Sequence, residues 1–538
     1  MEEALSEWLA NANDTVNINL VRAGKEAGTS EAVFEEPFNP TFTYTVFGEE
    51  EVIFGYRSPQ MNLRFRAHDL QPSLEFKHDG VFEAIGETKP MDILEILKDF
   101  LPEDALRTDN QSLADLTATD TGASSWTPPG NLQHSYTHNE RRFEIWCSSL
   151  ADPTAKEILR RMQILVPFYI EGGTCQNLDD QDWTLERWKI FLIYEVANPP
   201  PANPARSPYT IVGFSTSYRL WVFPSGRKTI DEFFIHVSNG AASLPTPPPT
   251  LDPESIDPEA APSFLSYNPL DSHSRERISQ FLILPPYQHQ SHGTHLYTAM
   301  TELFLADPHV CEVTVEDPNE AFDDMRDYCD LLRLRQDPSF AALTLADSVS
   351  PGSLDPEKDV PTEQLLPEST LTALRQASKI SPRQFSRLTE MQLLSKIPPR
   401  HRSRARITRK AKAADPNDRR YYFWRLAVKV RLTIKNRDQL AQLDVEERIE
   451  KLEETLAGVE EEYVRILDGA EKRAKFVDSV AKSREVANGR PRRGLKRKGR
   501  VIDDEDDDDD DDETVAGSFT QASAGAKRPK VADANADE

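Results

Sequence analysis

Two short runs in the second half of this chain place, one after the other, groups that could bind an anion and groups that could move a proton. The first, QFLILPPYQHQSHGTHLYTAM, joins a β-rich run to a helical one through a polar loop. Leu296, Met300, Leu303 and Phe304 recur at i, i+4, i+7 and i+8, the apolar face of a helix that starts at the loop. Main-chain N–H groups at a helix start have no internal acceptor, so this strand-loop-helix unit can seat a pyrophosphate. The second run, VTVEDPNEAFDDMRD, ends a strand on Glu316 and Asp317 just before Pro318. Carboxylates at a sheet edge can do general acid/base work, although a solvated acidic turn has the same composition.

Two other chemistries fit the sequence less well. His289, His292 and His295 recur every three residues, and imidazole is a common zinc ligand. That spacing drifts around a helix, no cysteine or carboxylate lies beside it, and a cation opposes the positive end of the helix dipole. No metal is expected. No GxSxG nucleophile elbow is present either.

The elements that must position these groups fall into four zones. From about residue 15 to 105, TVNINLV, FTYTV, VIFGY and LRFRAHDL read as short strands, and MDILEILKDFL has helical spacing. After the joint TATDTGASSWTPPGN, FEIWCSSL predicts a strand and AKEILRRMQILVPFYIE a helix running into an apolar segment. WKIFLIYEV and TIVGFSTSYRLWVF predict antiparallel neighbours, because the Pro-rich NPPPANPARSP between them cannot continue a ladder. The Pro-rich stretch 224–274 reads as an unpacked surface insertion.

Beyond residue 338 a Ser/Pro-rich segment leads to basic, helix-forming sequence. There Leu440, Leu443, Ile449, Leu452, Leu456, Val459, Tyr463 and Ile466 predict one amphipathic stripe. The last zone holds RPRRGLKRKGR, the acidic run Asp503–Glu513 and AKRPK, a composition expected to be disordered.

Bulk properties bound the function. A chain of 538 residues exceeds one core, and a mean hydropathy of -0.58 indicates polar segments diluting ordinary domains. A formal charge of -27 argues against sequence-specific nucleic-acid binding by the whole surface and favours a cationic partner. Cys147, Cys175, Cys311 and Cys329 lie too far apart for a CxxC site and are expected to be reduced. The N-terminal MEEALSEWLANAND lacks a secretory pattern, and no apolar run is long enough to span a bilayer, so a soluble intracellular protein is expected.

The loop resembles motif A of the GNAT acetyltransferases, whose Q/RxxGxG/A form wraps the pyrophosphate of acetyl-CoA. Gln288 and Gly293 match its outer positions, and Ser291 stands where the middle glycine is expected. A serine there carries a Cβ that a glycine lacks, but it is small enough to be tolerated. QFLILPPYQHQSHG followed by VTVEDPNEAFDDMRD, with WTLERWKIF and VFGEEEVIFGY, resembles the catalytic subunits of type B histone acetyltransferases over roughly residues 15–337.

That resemblance implies an α+β chain in four parts. They are an N-terminal α+β histone-binding domain (1–125) and a central GNAT domain with a mixed, mostly antiparallel sheet (131–338, with the 224–274 insertion). A C-terminal helical domain (368–485) and a disordered tail (486–538) follow. It implies acetyl-CoA as co-substrate, Glu316 as general base, and Asp317 and Glu171 (in FYIEGG) as further active-site carboxylates. Phe281, Leu282 and Ile283 would line the acetyl and pantetheine arm. Gln288, His289, Gln290, Ser291, His292, Gly293 and Thr294 would surround the pyrophosphate, with Asn319 near the CoA. Glu51, Trp188 and Tyr218 would contact the histone tail. A lysine ammonium must lose its proton before it can attack a thioester, which is why a carboxylate should follow the cofactor loop.

The partners implied are histone H4, with H3, and a WD-repeat histone-binding subunit, in chromatin assembly. The basic runs read as import signals, giving nucleus and cytoplasm as the expected location. A non-catalytic acidic histone chaperone that kept the fold is the alternative; it would need neither the loop nor the carboxylate.

Overall fold

The computed structural model describes residues 6–106, 117–179, 182–221, 273–350, 360–407 and 413–488. Most of the 224–274 insertion and the tail beyond residue 488 lie outside these residues, and Ser274 opens a strand. Two compact units divide the chain, Met1–Lys475 and Phe476–Glu538. Among the described residues no helix is long and apolar enough to cross a membrane.

The described fold is mixed α and β. Early strands are β1 (Leu9–Asn11), β2 (Val16–Ala23), β3 (Ser30–Ala32), β4 (Val52–Phe54), β5 (Tyr56–Arg57), β6 (Gln60–Arg66), β7 (Pro72–Lys77) and β8 (Gly80–Val81). They form a four-stranded sheet in the order β3-β2-β6-β7 and two pairs, β1-β4 and β5-β8. A six-stranded sheet follows, built from β9 (Asn131–His138), β10 (Arg141–Ser149), β11 (Trp188–Val196), β12 (Tyr209–Trp221), β13 (Ser274–Ile283) and β14 (Val310–Val315). Its order is β14-β13-β12-β11-β10-β9, antiparallel throughout except for the parallel β13/β14 pair.

Residue pattern explains these elements. In β11 the run IFLIY is buried on both faces, as a central strand requires. In β13 buried and half-buried positions alternate along all of SRERISQFLI. Helix α1 (Pro153–Met162) starts where Asp152 accepts the N–H groups of Thr154 and Ala155, has proline in its first turn, and buries Ala155, Ile158, Leu159 and Met162. The expected continuation is a separate short helix, α2 (Leu165–Tyr169). Helix α3 (His292–Ala306) buries Leu296, Met300 and Phe304, as the spacing predicts. One apolar core runs through these elements, from Ala12 to Val313.

A second core gathers α4 (Glu320–Leu334), α5 (Glu368–Ser378), α6 (Pro382–Ser395), α7 (Pro416–Lys435) and the first part of α8 (Val445–Asn488) around Leu388, Met391, Phe423, Trp424 and Tyr463. Among its fastenings to α3 and β14 are bonds made by Lys379, at the end of α5. Lys379 donates to the carbonyls of Phe304, Leu305 and Asp307, capping the end of α3. The N–H of Val313 in β14 bonds to the Lys379 carbonyl at 2.7 Å. Arg387 on α6 bridges Asp327 of α4 and Glu462 of α8 at 2.7 and 2.6 Å.

Three expectations change. FTYTV is not a strand: Tyr44–Phe47 form one helical turn, because the Glu51 carboxylate accepts the Thr43 N–H at 2.6 Å and closes the chain on itself. MDILEILKDFL yields only Ile93–Leu97 as helix. The 440–466 stripe is broken: Leu440 lies in a separate short helix, Asp444 caps α8 through the Glu447 N–H, and Ile449 is 57 % exposed. Leu456, Tyr463 and Ile466 are buried as expected.

His68, 4 % exposed against the ring of Trp126, is pushed down to about 4, first by burial. A histidine in the unfolded chain titrates near 6.5, so the unfolded state takes up the proton first as pH falls. Its contribution to stability is therefore full above about pH 6.5 and is lost towards pH 4. Measured unfolding free energy should fall less steeply between pH 6.5 and 4.5 in His68→Gln than in the wild type; equal slopes would contradict the assignment.

Candidate active site

β13 and β14 run side by side only as far as the pair Ile278↔Val315. One further bond, from the Glu316 N–H to the Ile278 carbonyl at 2.9 Å, is the last rung. Asp317 then takes a positive φ of 34°, and Asn319 caps α4 by accepting the Phe322 N–H at 2.9 Å. The chain thus turns out of the sheet at Pro318. Beyond Ile278, Ser279–Ile283 keep a strand neighbour on the β12 side alone among the described residues.

A β-bulge marks the same place. Between Ser215↔Phe281 and Ser217↔Ile278, β13 advances three residues while β12 advances two. Side chains of β12 satisfy the displaced main chain: the Ser215 hydroxyl donates to the Gln280 carbonyl at 2.6 Å, and Thr216 Oγ1 accepts the Gln280 N–H at 3.2 Å. Gln280 Nε2 reaches the Thr174 carbonyl at 3.0 Å, tying the turn that carries Glu171 to this point of the strand.

One row of half-buried side chains, Arg277, Ser279, Phe281 and Ile283, follows along β13. At one end stands Glu316. Its Oε2 accepts the Ser279 hydroxyl at 2.7 Å and its Oε1 accepts the Tyr218 hydroxyl at 3.4 Å. Arg277 donates to the Tyr218 oxygen at 3.5 Å. Tyr218 stacks on Trp188, ring centroids 4.4 Å apart, the two being register partners on β12 and β11. Burial, and then the Glu316 charge, push the Tyr218 phenol up, so it is a hydrogen-bond donor at neutral pH. Asp317 is exposed on the same turn, and Glu171 is exposed on the turn after α2.

On the other face the strands are pinned by a buried ion pair. Glu276 is fully buried and accepts from Lys189 at 2.9 Å and Ser217 at 2.7 Å. Removing one partner of such a pair costs about 3–5 kcal/mol, so the register of β11, β12 and β13 is firmly held.

At the far end of the row lies the polar loop. Gln288 Nε2 donates back to the Ile283 carbonyl at 2.9 Å, and Gln290 Nε2 to the Pro286 carbonyl at 3.1 Å, so both amides brace the loop. His289 and Ser291 adopt φ of 60° and 64°, the left-handed region. Ser291 caps α3 without a side-chain bond, which leaves the first-turn N–H groups of His292, Gly293 and Thr294 to an outside acceptor. A Cβ on Gly293 would meet Met325 Sδ at 3.1 Å and the Phe281 ring at 3.5 Å, so glycine lets the helix start sit down on β13 and α4. The loop has what an anion seat needs: outward amides at a helix N-terminus and left-handed turns.

His292 does not present its ring to that seat. It is 1 % exposed, hydrogen-bonded through Nδ1 to the Tyr136 hydroxyl at 2.7 Å, and pushed down to about 4, first by burial. Its main-chain N–H is the part left for a ligand. Leu282 is likewise buried, on the face opposite Phe281 and Ile283. Among the described residues no group of three or more histidine, cysteine or acidic side chains is arranged to hold a metal.

Glu51 is engaged within the protein. Its carboxylate accepts from Thr43 N and from Asn13 Nδ2 at 3.1 Å, and the main-chain bond from Thr43, the largest influence, holds it below the usual range. It braces a segment that reaches the turn carrying Glu171, since Tyr44 Oη accepts the Gly172 N–H at 2.7 Å. Sequence reasoning missed Arg277 and Ser279. The signal was present: both alternate with Phe281 and Ile283 in a strand whose two-residue period is plain.

Comparison with known proteins adds an independent line. Residues 8–171 match a family model described as histone acetyl transferase HAT1 N-terminus, and residues 353–397 match one described as fungal HAT1, C-terminal. The chain is similar to the histone acetyltransferase type B catalytic subunit of Aspergillus fumigatus, 40% identical over 86% of this chain and 77% of that protein. The subunit of the same name from Aspergillus oryzae is 38% identical, covering 86% of both chains. That of Neurospora crassa is 32% identical over 90% of this chain and 94% of its own.

The left-handed Ser291 yields a direct test. Strain of about 1–3 kcal/mol at a non-glycine residue there is partly offset by glycine's greater unfolded-state entropy, about 0.5–1 kcal/mol. Ser291→Gly should therefore stabilise the protein by about 1 kcal/mol, read as a small rise in Tm. A fall in Tm would contradict the loop conformation.

Proposed function

This chain belongs to the family of type B histone acetyltransferase catalytic subunits, and from that premise we propose that it transfers the acetyl group of acetyl-CoA to lysines in the N-terminal tail of newly synthesised histone H4, H3 accompanying it. The observation that carries the reading is a single row along β13 with Glu316 at one end and an outward-amide loop at the other. The parting of the parallel pair after Ile278 also supports a GNAT fold for the six-stranded sheet.

The residues fit the co-substrate. The loop from Gln288 to Thr294 would surround its pyrophosphate, held by the main-chain N–H groups of His292, Gly293 and Thr294, Phe281–Ile283 would lie along its arm, and Asn319 would approach it at the start of α4. When bound, acetyl-CoA supplies an acyl group activated as a thioester. Glu316 takes the proton of the lysine ammonium, which frees the nitrogen lone pair. The N–C bond forms as the C–S bond breaks, the second amine proton goes to the leaving thiolate sulfur, and β13 main-chain donors would meet charge developing on the carbonyl oxygen. No covalent enzyme intermediate is needed.

Trp188 and Tyr218 form an aromatic wall beside Glu316 against which a lysine stem can pack. Asp317 and Glu171 make the mouth of the cleft anionic, which suits a basic tail. Glu51, engaged with Thr43 and Asn13, would act on the tail through the segment it braces. Family membership favours this catalytic reading over a chaperone that kept the fold. A WD-repeat histone-binding subunit is the proposed partner. The basic runs after residue 489 suit import, with the protein shared between nucleus and cytoplasm and acting in chromatin assembly.

Steady-state acetylation of histone H4 tests the reading. Glu316→Gln should lower kcat by about a hundredfold or more, the usual contribution of a general base, while the affinity for acetyl-CoA measured by calorimetry stays within about twofold. Equal rates would reject Glu316 as the base.

A further inference from the structure

Ser279 lies in the half-buried row of β13, next to the bulge against β12. Its hydroxyl donates to Glu316 Oε2 at 2.7 Å, the shortest contact that carboxylate makes. The donor and acceptor sit on adjacent strands immediately past the last parallel rung, where nothing in the ladder fixes the Glu316 side chain. The other group on the carboxylate, Tyr218, holds Oε1 at 3.4 Å and is itself shared with Arg277.

From this geometry we infer that Ser279 is a positioning residue for the reaction: its hydroxyl clamps one oxygen of Glu316 and so aims the other, beside Tyr218, at the substrate amine. This rests on Glu316 being the base. The arrangement divides the two oxygens by task. Oε2 receives a strong charge-assisted bond from a hydroxyl on the rigid sheet, while Oε1 keeps a long bond that an incoming ammonium can displace. The charged and titratable groups facing this carboxylate are the Tyr218 phenol from β12, which bonds to it, the Arg277 guanidinium of β13, which bonds to that phenol, and Asp317, next to it on the same turn.

Losing the bond from Ser279 should free the rotation of the carboxylate, with no effect on how either substrate binds. Threonine carries the same hydroxyl and suits a β-strand, so it should replace serine here.

The test compares the full-length wild type with Ser279→Ala, Ser279→Thr, Glu316→Gln and Ser279→Ala/Glu316→Gln, using histone H4 and acetyl-CoA. Ser279→Ala should lose about tenfold in kcat, a small part of a general base's contribution, with both KM values within about twofold. Ser279→Thr should restore kcat, and the double variant should be no slower than Glu316→Gln alone, because Ser279 acts only through that carboxylate. Wild-type kcat in Ser279→Ala, with Glu316→Gln inactive, would overturn this inference and leave the base standing. A double variant much slower than Glu316→Gln would also overturn it. Wild-type activity in Glu316→Gln would instead remove the reading on which it rests. Loss of activity in Ser279→Ala that threonine does not restore would mark a merely structural serine, a fourth outcome against the proposal.

Discussion

The rest of the site depends on where two parallel strands stop being paired. Parallel pairing gives β13 and β14 a common direction, and the rung from Glu316 N–H to the Ile278 carbonyl ends it. Two consequences follow from that one parting. A carboxylate-bearing turn stands at the point of departure, and among the described residues no strand pairs with the edge of β13 beyond it. A sheet edge is costly to bury unless something satisfies it, so such an edge is suited to an extended ligand.

What holds the parting open lies on both sides of it. Behind β13 the Glu276–Lys189–Ser217 cluster fixes the register of three strands, and Ser215 and Thr216 satisfy the bulged main chain. Beyond β14 the helical core takes over. Lys379 ties α3 and β14 together, and Arg387 holds α4, which begins at Asn319 just after the carboxylates. The helical segment far along the chain therefore supports the geometry of the turn that carries Glu316.

Much of this was legible in the sequence because it is periodic. The two-residue alternation of RISQFLIL and the 3.6-residue period from Leu296 to Phe304 locate β13 and α3 without any structure. Capping made other boundaries readable: Asp152 followed by Pro153 opens α1, and Asn319 opens α4. Elements set by distant contacts were not legible. FTYTV has strand composition, yet Glu51, eight residues on, bends it into a helical turn. A bulge also leaves no local mark, since it is defined by the partner strand. The burial of His292 could not be read from loop composition, because Tyr136 and Phe143 come from strands far away in the chain.

In the proposed reading, the loop at the start of α3 and the edge of β13 beyond Ile278 form one binding surface leading to Glu316. Amide hydrogen exchange with and without acetyl-CoA tests it most directly. Protection on ligand binding is expected across Phe281–Ile283 and Gln288–Thr294, with exchange in β2 and β6 unchanged. No change at the loop and edge under saturating ligand, or protection confined to another part of the chain, would contradict it.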